Sequence, residues 1–104
     1  MKMLAGRKAL VTGSTSGIGL AMAGALADEG ADIYLNGFGE AASIEAIKKD
    51  LKSKSVSVDY FAADMSKPDE IMAMMAEIES RHGGIDILIN NAGIQHVSPI
   101  DTFD

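Results

Sequence analysis

The stretch that decides the fold is Thr12-Gly13-Ser14-Thr15-Ser16-Gly17-Ile18-Gly19. It follows the short apolar run at 9–11 and leads into a segment with helical spacing of apolar residues. Glycines placed here allow a tight turn (Gly13), close approach of a ligand to the backbone (Gly17) and close helix–strand packing (Gly19). The N–H groups at the helix N-terminus suit phosphate. The stretch therefore predicts a site for the pyrophosphate of a dinucleotide, and a glycine-rich turn without a ligand is the alternative.

Outside this stretch, short apolar runs alternate with helical patterns. Runs rich in Ile, Val, Leu and Tyr predict four strands, at 9–11, 32–36, 56–61 and 85–90. Helical spacing predicts three helices, at 17–29, at 40–52 and from an N-cap at Ser66 to the glycines at 83–84, with the first turn of a fourth at 99–104. Strands that alternate with helices indicate an α/β protein with a parallel sheet and right-handed crossovers.

Each predicted helix carries apolar residues at core spacing. These residues are Ile18, Met22, Ala25 and Leu26 in the first helix, Ile44, Ile47 and Leu51 in the second, and Ile71, Met74, Met75 and Ile78 in the third. We interpret the methionines of the third helix as core and neighbouring surface rather than as a metal or partner site.

Composition excludes several classes of function. The 104 residues are 47% apolar, and 15 acidic against 9 basic side chains give a net charge of -6 without a basic stripe, which disfavours nucleic acid and anionic membranes as partners. The absence of cysteine excludes disulfides and thiolate chemistry, and neither His82 nor His96 has acidic neighbours at metal-ligand spacing, so we expect no metal site. No apolar run is long enough for a transmembrane helix and no secretory signal is seen, so the expected location is cytoplasmic.

Three motifs occur in a fixed order along the chain. They are T-G-x-x-x-G-I-G at 12–19, Asp64 after the third predicted strand, and Asn90-Asn91-Ala92-Gly93 after the fourth. In these motifs the chain resembles the N-terminal part of the short-chain dehydrogenase/reductase family. The resemblance implies that residues 1–104 are the N-terminal part of one dinucleotide-binding domain, a three-layer, doubly wound Rossmann fold. Here it would be truncated to about four strands in the order 3-2-1-4 and three helices.

The glycine loop and the resemblance together assign the cofactor contacts. The expected contact residues are Gly13, Thr15, Ser16, Gly17, Ile18, Gly19, Phe38, Ala63, Asp64, Met65, Asn91, Ala92 and Gly93. The resemblance places the Asp64 carboxylate against the adenine amino group, with the Met65 N–H nearby, and a helix-capping role for Asp64 is the alternative. We expect Asn90 to stabilise the sheet through its side chain and Asn91 to contact the ligand.

The segment at 36–40, after the second predicted strand, bears on the choice of cofactor. It has no aspartate in the place of the acidic residue that commonly binds the adenosine ribose in NAD enzymes. Neither this segment nor 14–16 contains the Arg or Lys that a 2′-phosphate would require, so NAD is favoured over NADP. Phe38 is expected to pack against the adenosine half, and an incidental turn is the alternative.

The segments at 35–39 and 90–100 resemble bacterial D-3-hydroxybutyrate dehydrogenases within the family. The resemblance implies hydride transfer between NAD and 3-hydroxybutyrate or acetoacetate, with the amide of Gln95 holding the substrate carboxylate. We discount His96 as a base, because the family uses a tyrosine. The alternatives are an NADP-dependent 3-oxoacyl-carrier-protein reductase and a non-catalytic nucleotide-binding or interaction fragment.

The family's catalytic Ser and Y-x-x-x-K motif are missing from this chain. Its two tyrosines, Tyr34 and Tyr60, are followed four residues later by Phe38 and Asp64. We therefore assign no catalytic residue and expect the 104-residue chain alone to be inactive. The fourth predicted strand would be an uncovered apolar edge, which predicts a homo-oligomer.

Overall fold

The computed structural model describes residues 2–91. Its elements are β1 (Lys8–Val11), α1 (Gly17–Asp28), β2 (Asp32–Asn36), α2 (Ala41–Lys52), β3 (Val58–Phe61), α3 (Pro68–His82) and β4 (Ile87–Ile89). This order confirms the predicted alternation of strands and helices. The fourth helix predicted at 99–104 lies outside the described residues.

The four strands form one parallel sheet in the order β3-β2-β1-β4, as predicted. In the middle of β1, Leu10 lies opposite Tyr34 on one side and Leu88 on the other. Chain growth runs outward from β1 through β2 to β3 and then returns to the other side of β1. The carboxyl ends of β1 and β4 therefore flank a switch point, where open α/β sheets bind their ligands.

Helices cover both faces of the sheet, which gives the predicted three layers. Alternate side chains of a strand point to opposite faces. On one face, Ala9 and Val11 of β1 pack in the same buried cluster as Ala23 and Ala27 of α1 and Leu51 of α2. On the other face, the buried cluster comprises Leu10, Tyr34, Phe61, Met74 and Ile78, the last two from α3.

The face of α1 that packs on the sheet differs in part from the predicted one, since Met22 and Leu26 pack half-buried against the core but Ile18 and Ala25 do not. Ile18 is 62% exposed and Ala25 is also exposed, whereas the buried positions are Gly19, Ala23 and Ala27. These three residues repeat every fourth position and have small or no side chains, so they let the helix backbone approach the strands closely. The apolar faces predicted for α2 and α3 are largely correct, although Met75 is 39% exposed.

The start of α3 also differs from the prediction. Lys67, not Ser66, is the N-cap, and Pro68 is the first helical residue. The hydroxyl and the N–H of Ser66 both donate to Asp64 Oδ1, at 2.7 and 2.9 Å. The serine therefore orders the turn before the helix rather than capping the helix.

Two strands are shorter than predicted, because side-chain carboxylates replace ladder bonds where these strands were expected to begin. Asp32 Oδ1 accepts the N–H of Ser57 at 2.9 Å, and β3 begins only at Val58. Asp86 Oδ2 accepts the N–H of Lys8 at 2.9 Å. The fourth strand accordingly begins at Ile87, and it ends at Ile89.

Candidate functional site

The loops that follow the strands place most of the predicted site residues at the carboxyl edge of the sheet. The glycine loop follows β1, Phe38 follows β2, Asp64 follows β3 and Asn91 follows β4. Because the strands are parallel, these four loops all lie on one edge of the sheet. The topology therefore gathers residues that are up to 78 positions apart in the chain.

The N-terminus of α1 has the features of an anion site. Its N-cap, Ser16, makes no side-chain capping bond, and no acidic residue lies in the first turn. Gly17 has φ +58°, and a Cβ built there would meet no atom within 4 Å. Helix N–H groups, the positive end of the dipole and free space beside a glycine are the conditions under which a phosphate binds. The structure thus fits the pyrophosphate of a dinucleotide.

Gly19 and Asn91 lock the glycine loop to the helix and to β4. A Cβ at Gly19 would lie 2.2 Å from the carbonyl oxygen of Gly13 and 2.5 Å from Asn91 Nδ2. Asn91 Nδ2 donates to the same Gly13 oxygen at 3.0 Å. Gly19 therefore has the packing role that the sequence predicts. The Asn91 amide has a structural role here, and its contact with a ligand stays a prediction.

Asn90 interacts with the neighbouring strand through its side chain, as predicted. The hydroxyl of Thr12 donates to Asn90 Oδ1 at 3.3 Å, at the position where β1 ends. This bond joins the two strands that flank the switch point.

Asn36, at the end of β2, is a residue whose role the sequence analysis missed. It is 1% exposed. Its Oδ1 accepts the N–H of Gly13 at 3.2 Å, and its Nδ2 donates to the carbonyls of Phe61 and Ala63 at 3.1 and 3.0 Å. One amide thus links the ends of three strands. The available signal was a polar residue at the end of a strand, directly after three apolar residues.

The segment after β2 is held from two sides. Thr15 Oγ1 donates to the carbonyl of Phe38 at 2.9 Å, and the hydroxyl of Tyr60 donates to the carbonyl of Gly37. Phe38 itself is 69% exposed. Thr15, predicted as a cofactor contact, therefore holds the loop that presents the Phe38 ring. The contribution of Tyr60 was not anticipated.

Asp64 has an ordered carboxylate on this edge. Hydrogen bonds from the Ser66 hydroxyl and then the Ser66 N–H lower the pKa of the Asp64 carboxyl below its ordinary value. The Asp64 N–H donates to Glu70 Oε1 at 2.8 Å. The carboxylate is therefore ionised at neutral pH and held by the turn before α3. It does not cap the helix, whose N-cap is Lys67, and its contact with a ligand stays a prediction. The adjacent Ala63 and Met65 are half-buried against the cluster that contains Phe61.

The remaining predicted contacts, Ala92, Gly93 and Gln95, lie outside the described residues, as does His96. Within residues 2–91, no three His, Asp or Glu side chains are grouped as metal ligands. In the same range, no helix combines the length and apolar character needed to cross a bilayer.

Known proteins resemble this chain in sequence and in fold. The family model of short-chain dehydrogenases matches residues 7–104. The chain is 54% identical over 103 residues to the D-beta-hydroxybutyrate dehydrogenase of Cupriavidus necator, a match that covers 97% of this chain and 39% of that protein. It is 40% identical over 94 residues to the 3-oxoacyl-[acyl-carrier-protein] reductase FabG of Staphylococcus aureus, with 90% of this chain and 37% of the reductase covered.

A solved structure also resembles this chain in fold and in sequence. L-sorbose reductase from Gluconobacter frateurii, complexed with NADPH and L-sorbose, superposes with a TM-score of 0.81 at 38% identity, covering 100% of this chain and 40% of the reductase. The chain thus spans about two fifths of the length of the proteins that it matches. Taken with the match over 7–104, the likeness shows that the chain belongs to the short-chain dehydrogenase family.

Proposed function

We propose that residues 1–104 are the N-terminal part of the dinucleotide-binding domain of an NAD-dependent oxidoreductase. The whole enzyme would transfer hydride between NAD and a small 3-hydroxy acid, 3-hydroxybutyrate, with acetoacetate as the ketone. The observation that carries the cofactor part is the uncapped N-terminus of α1, with open space beside Gly17, at the switch point of the sheet. The substrate part is supported by the 54% identity to a D-beta-hydroxybutyrate dehydrogenase.

Each loop of the carboxyl edge has a role in this proposal. The glycine loop would hold the pyrophosphate through backbone N–H groups at 16–19, while the Gly13 N–H stays bonded to Asn36, and the exposed ring of Phe38 would pack against the adenosine. Asp64 would accept a hydrogen bond from the adenine amino group on Oδ2, since both hydrogen bonds from Ser66 go to Oδ1. Met65 would lie adjacent. The bound nicotinamide would supply the hydride acceptor.

The residues after β4 complete the proposed site. Asn91, Ala92 and Gly93 would line the ribose and nicotinamide side, and the Gln95 amide would orient the substrate carboxylate. The proton-transferring groups of the reaction are not assigned to this chain, so it would bind the cofactor without turning over substrate.

Selectivity for NAD follows from the charges at the adenosine end. No Lys or Arg occurs at 14–16 or 36–40, and the Thr15 hydroxyl already donates to the Phe38 carbonyl. A 2′-phosphate would therefore lose water without gaining a cationic partner. Hydrogen bonds to charged groups contribute roughly 1.5–3 kcal/mol, so we expect NADP to bind about 10- to 100-fold more weakly than NAD.

Calorimetric titration of the chain with NAD and NADP tests the proposal. Phe38→Arg would place a cation beside the ribose and should raise NADP affinity, whereas the matched Phe38→Ala should weaken both cofactors without favouring NADP. Equal or tighter NADP binding by the unaltered chain would contradict NAD selectivity. No binding of either cofactor would contradict the cofactor site itself.

An NADP-dependent 3-oxoacyl-carrier-protein reductase is the second candidate. The 40% identity to such a reductase and the NADPH complex of the L-sorbose reductase favour it. Kinetics of the longer protein that carries this segment separate the two candidates. Oxidation of 3-hydroxybutyrate with NAD supports the first, and reduction of a 3-oxoacyl thioester with NADPH supports the second.

The proposal includes a small molecule as partner, a cytoplasmic location and a homo-oligomeric whole protein. A net charge of -6 disfavours binding to nucleic acid or anionic membranes. A non-catalytic role for the longer protein would be indicated if it bound the cofactor yet showed no turnover with either substrate.

A further inference from the structure

Two hydroxyls from different parts of the chain donate to carbonyl groups of the segment after β2, residues 37–38. Tyr60 is the third residue of β3 and donates to the carbonyl of Gly37, while Thr15 lies in the glycine loop and donates to the carbonyl of Phe38. Two successive peptide groups are thus fixed from opposite sides. The exposed Phe38 ring is carried on the segment that these bonds fix.

Tyr60 is suited to this role by its own packing. Its ring is half-buried and packs against the apolar cluster on the α1 and α2 face of the sheet. Its backbone position is set by the register with Leu35 of β2. Because packing fixes the ring, the position of its hydroxyl is also fixed, and the hydrogen bond then fixes the position of the Gly37 carbonyl.

We propose that Tyr60 is a positioning residue for the adenosine end of the cofactor, acting through the Gly37 carbonyl to fix the loop that carries Phe38. The proposal rests on the cofactor site of the proposed function. Tyr60 itself need not touch the cofactor. Its hydroxyl limits the conformations of 37–38, so that less order has to be gained when the adenosine binds.

Tyr34 provides a matched control. It is the only other tyrosine in the chain, and its hydroxyl also donates to a glycine carbonyl, that of Gly84, at 3.4 Å. Gly84 precedes β4, so this bond lies toward the amino ends of the strands, away from the glycine loop. Tyr60→Phe and Tyr34→Phe therefore remove the same atom and the same kind of bond at opposite edges of one sheet.

The experiment measures binding of ADP-ribose and of nicotinamide mononucleotide to the unaltered chain and to both variants, together with their thermal unfolding. Loss of one hydrogen bond that preorganises a loop corresponds to roughly a fivefold rise in Kd. We expect that rise for ADP-ribose in Tyr60→Phe, no change in Tyr34→Phe, and no change for nicotinamide mononucleotide in either. In the absence of ligand, the backbone NMR signals of 37–39 should shift in Tyr60→Phe and stay in place in Tyr34→Phe.

Each other outcome has a definite meaning. Unchanged ADP-ribose binding in Tyr60→Phe would overturn the positioning role and leave the cofactor site intact. Equal weakening in both tyrosine variants, or weakening of both ligands alike, would show a general loss of stability and would also overturn it. An unaltered chain that binds no ADP-ribose would refute the proposed function instead, and the NMR comparison would then decide whether Tyr60 orders the loop.

Discussion

Two glycines in α1 should respond in opposite ways to the same substitution. A Cβ at Gly19 would lie 2.2 Å from the Gly13 carbonyl oxygen and 2.5 Å from Asn91 Nδ2, whereas ordinary contact begins near 3.4 Å. The Gly13 atoms are backbone, so the loop and the helix must separate by about 1 Å. A Cβ at Gly24, in the same helix, meets no atom within 4 Å.

These distances set the expected magnitudes. Overpacking costs about 1–3 kcal/mol of stability. Because the added Cβ would meet the backbone of Gly13 rather than a movable side chain, Gly19→Ala should lie near the upper end of this range. Replacing glycine by alanine in a helix stabilises it by roughly 0.5–1 kcal/mol, so the net loss of stability for Gly19→Ala is about 2 kcal/mol. Gly24→Ala has only the favourable part and should gain about 0.5–1 kcal/mol. The two variants should therefore differ by about 3 kcal/mol in their free energies of unfolding.

Urea unfolding followed by circular dichroism measures both variants against the unaltered chain. A Gly19→Ala variant as stable as Gly24→Ala would show that the helix does not press against the glycine loop. That result would remove the packing argument for the whole carboxyl edge.

Three further predictions concern the site and the exposed edge. Gly17→Val should lose affinity for NAD, because its side chain would occupy the open space beside the α1 N-terminus, and it should also lose some stability, because φ of +58° is strained for a β-branched residue. Circular dichroism checks that the variant folds, and unchanged affinity by calorimetry would mean that the pyrophosphate binds elsewhere. Hydrogen bonding lowers the pKa of Asp64, so its contribution to stability is present above the ordinary carboxyl value of 3.8 and is lost as pH falls through its folded-state pKa. The stability of Asp64→Asn should lack this part of the pH dependence. Identical acid-unfolding profiles for the variant and the unaltered chain would refute the prediction. The chain should self-associate through β4, where Leu88 is 51% exposed, so Leu88→Glu should shift sedimentation toward monomer. The control Met72→Glu, at a residue 70% exposed on α3, should not shift it. An unaltered chain that sediments as a monomer at high concentration would contradict this prediction.

The sequence predicted the fold well, because the decisive signals are local. Apolar runs of three to six residues between glycines, and helices with apolar residues at the spacing seen at Ile44 and Leu51, are read without tertiary information. The errors occurred where tertiary contacts override local pattern. Ile18 has the right spacing for a core residue, but the close approach of α1 at Gly19 turns its side chain outward. Ser66 has the right chemistry for an N-cap, but the Asp64 carboxylate takes its hydroxyl.

The candidate site was predictable in its glycines and less so in its supporting side chains. Gly17 and Gly19 follow from a motif in a known context, and the structure gives each a physical reason. Asn36 and Tyr60 could not be identified in the same way. Their roles depend on hydrogen bonds to carbonyls 23 to 27 positions away, which arise only once three strands lie side by side.

Asn36 also explains why the end of β2 lacks an acidic residue at that position. Its side chain must accept one bond, from the N–H of Gly13, and donate two, to the carbonyls of Phe61 and Ala63. An amide has both functions, whereas a carboxylate at the same buried place would accept from Gly13 but point an oxygen at two carbonyl oxygens. Burial would make that repulsion costly, because the charge could not be screened by water. The same amide that ties the glycine loop to the neighbouring strands therefore excludes an acidic side chain there. In the proposed function, discrimination at the ribose would come from the exposed residues further along the loop, Phe38, Gly39 and Glu40.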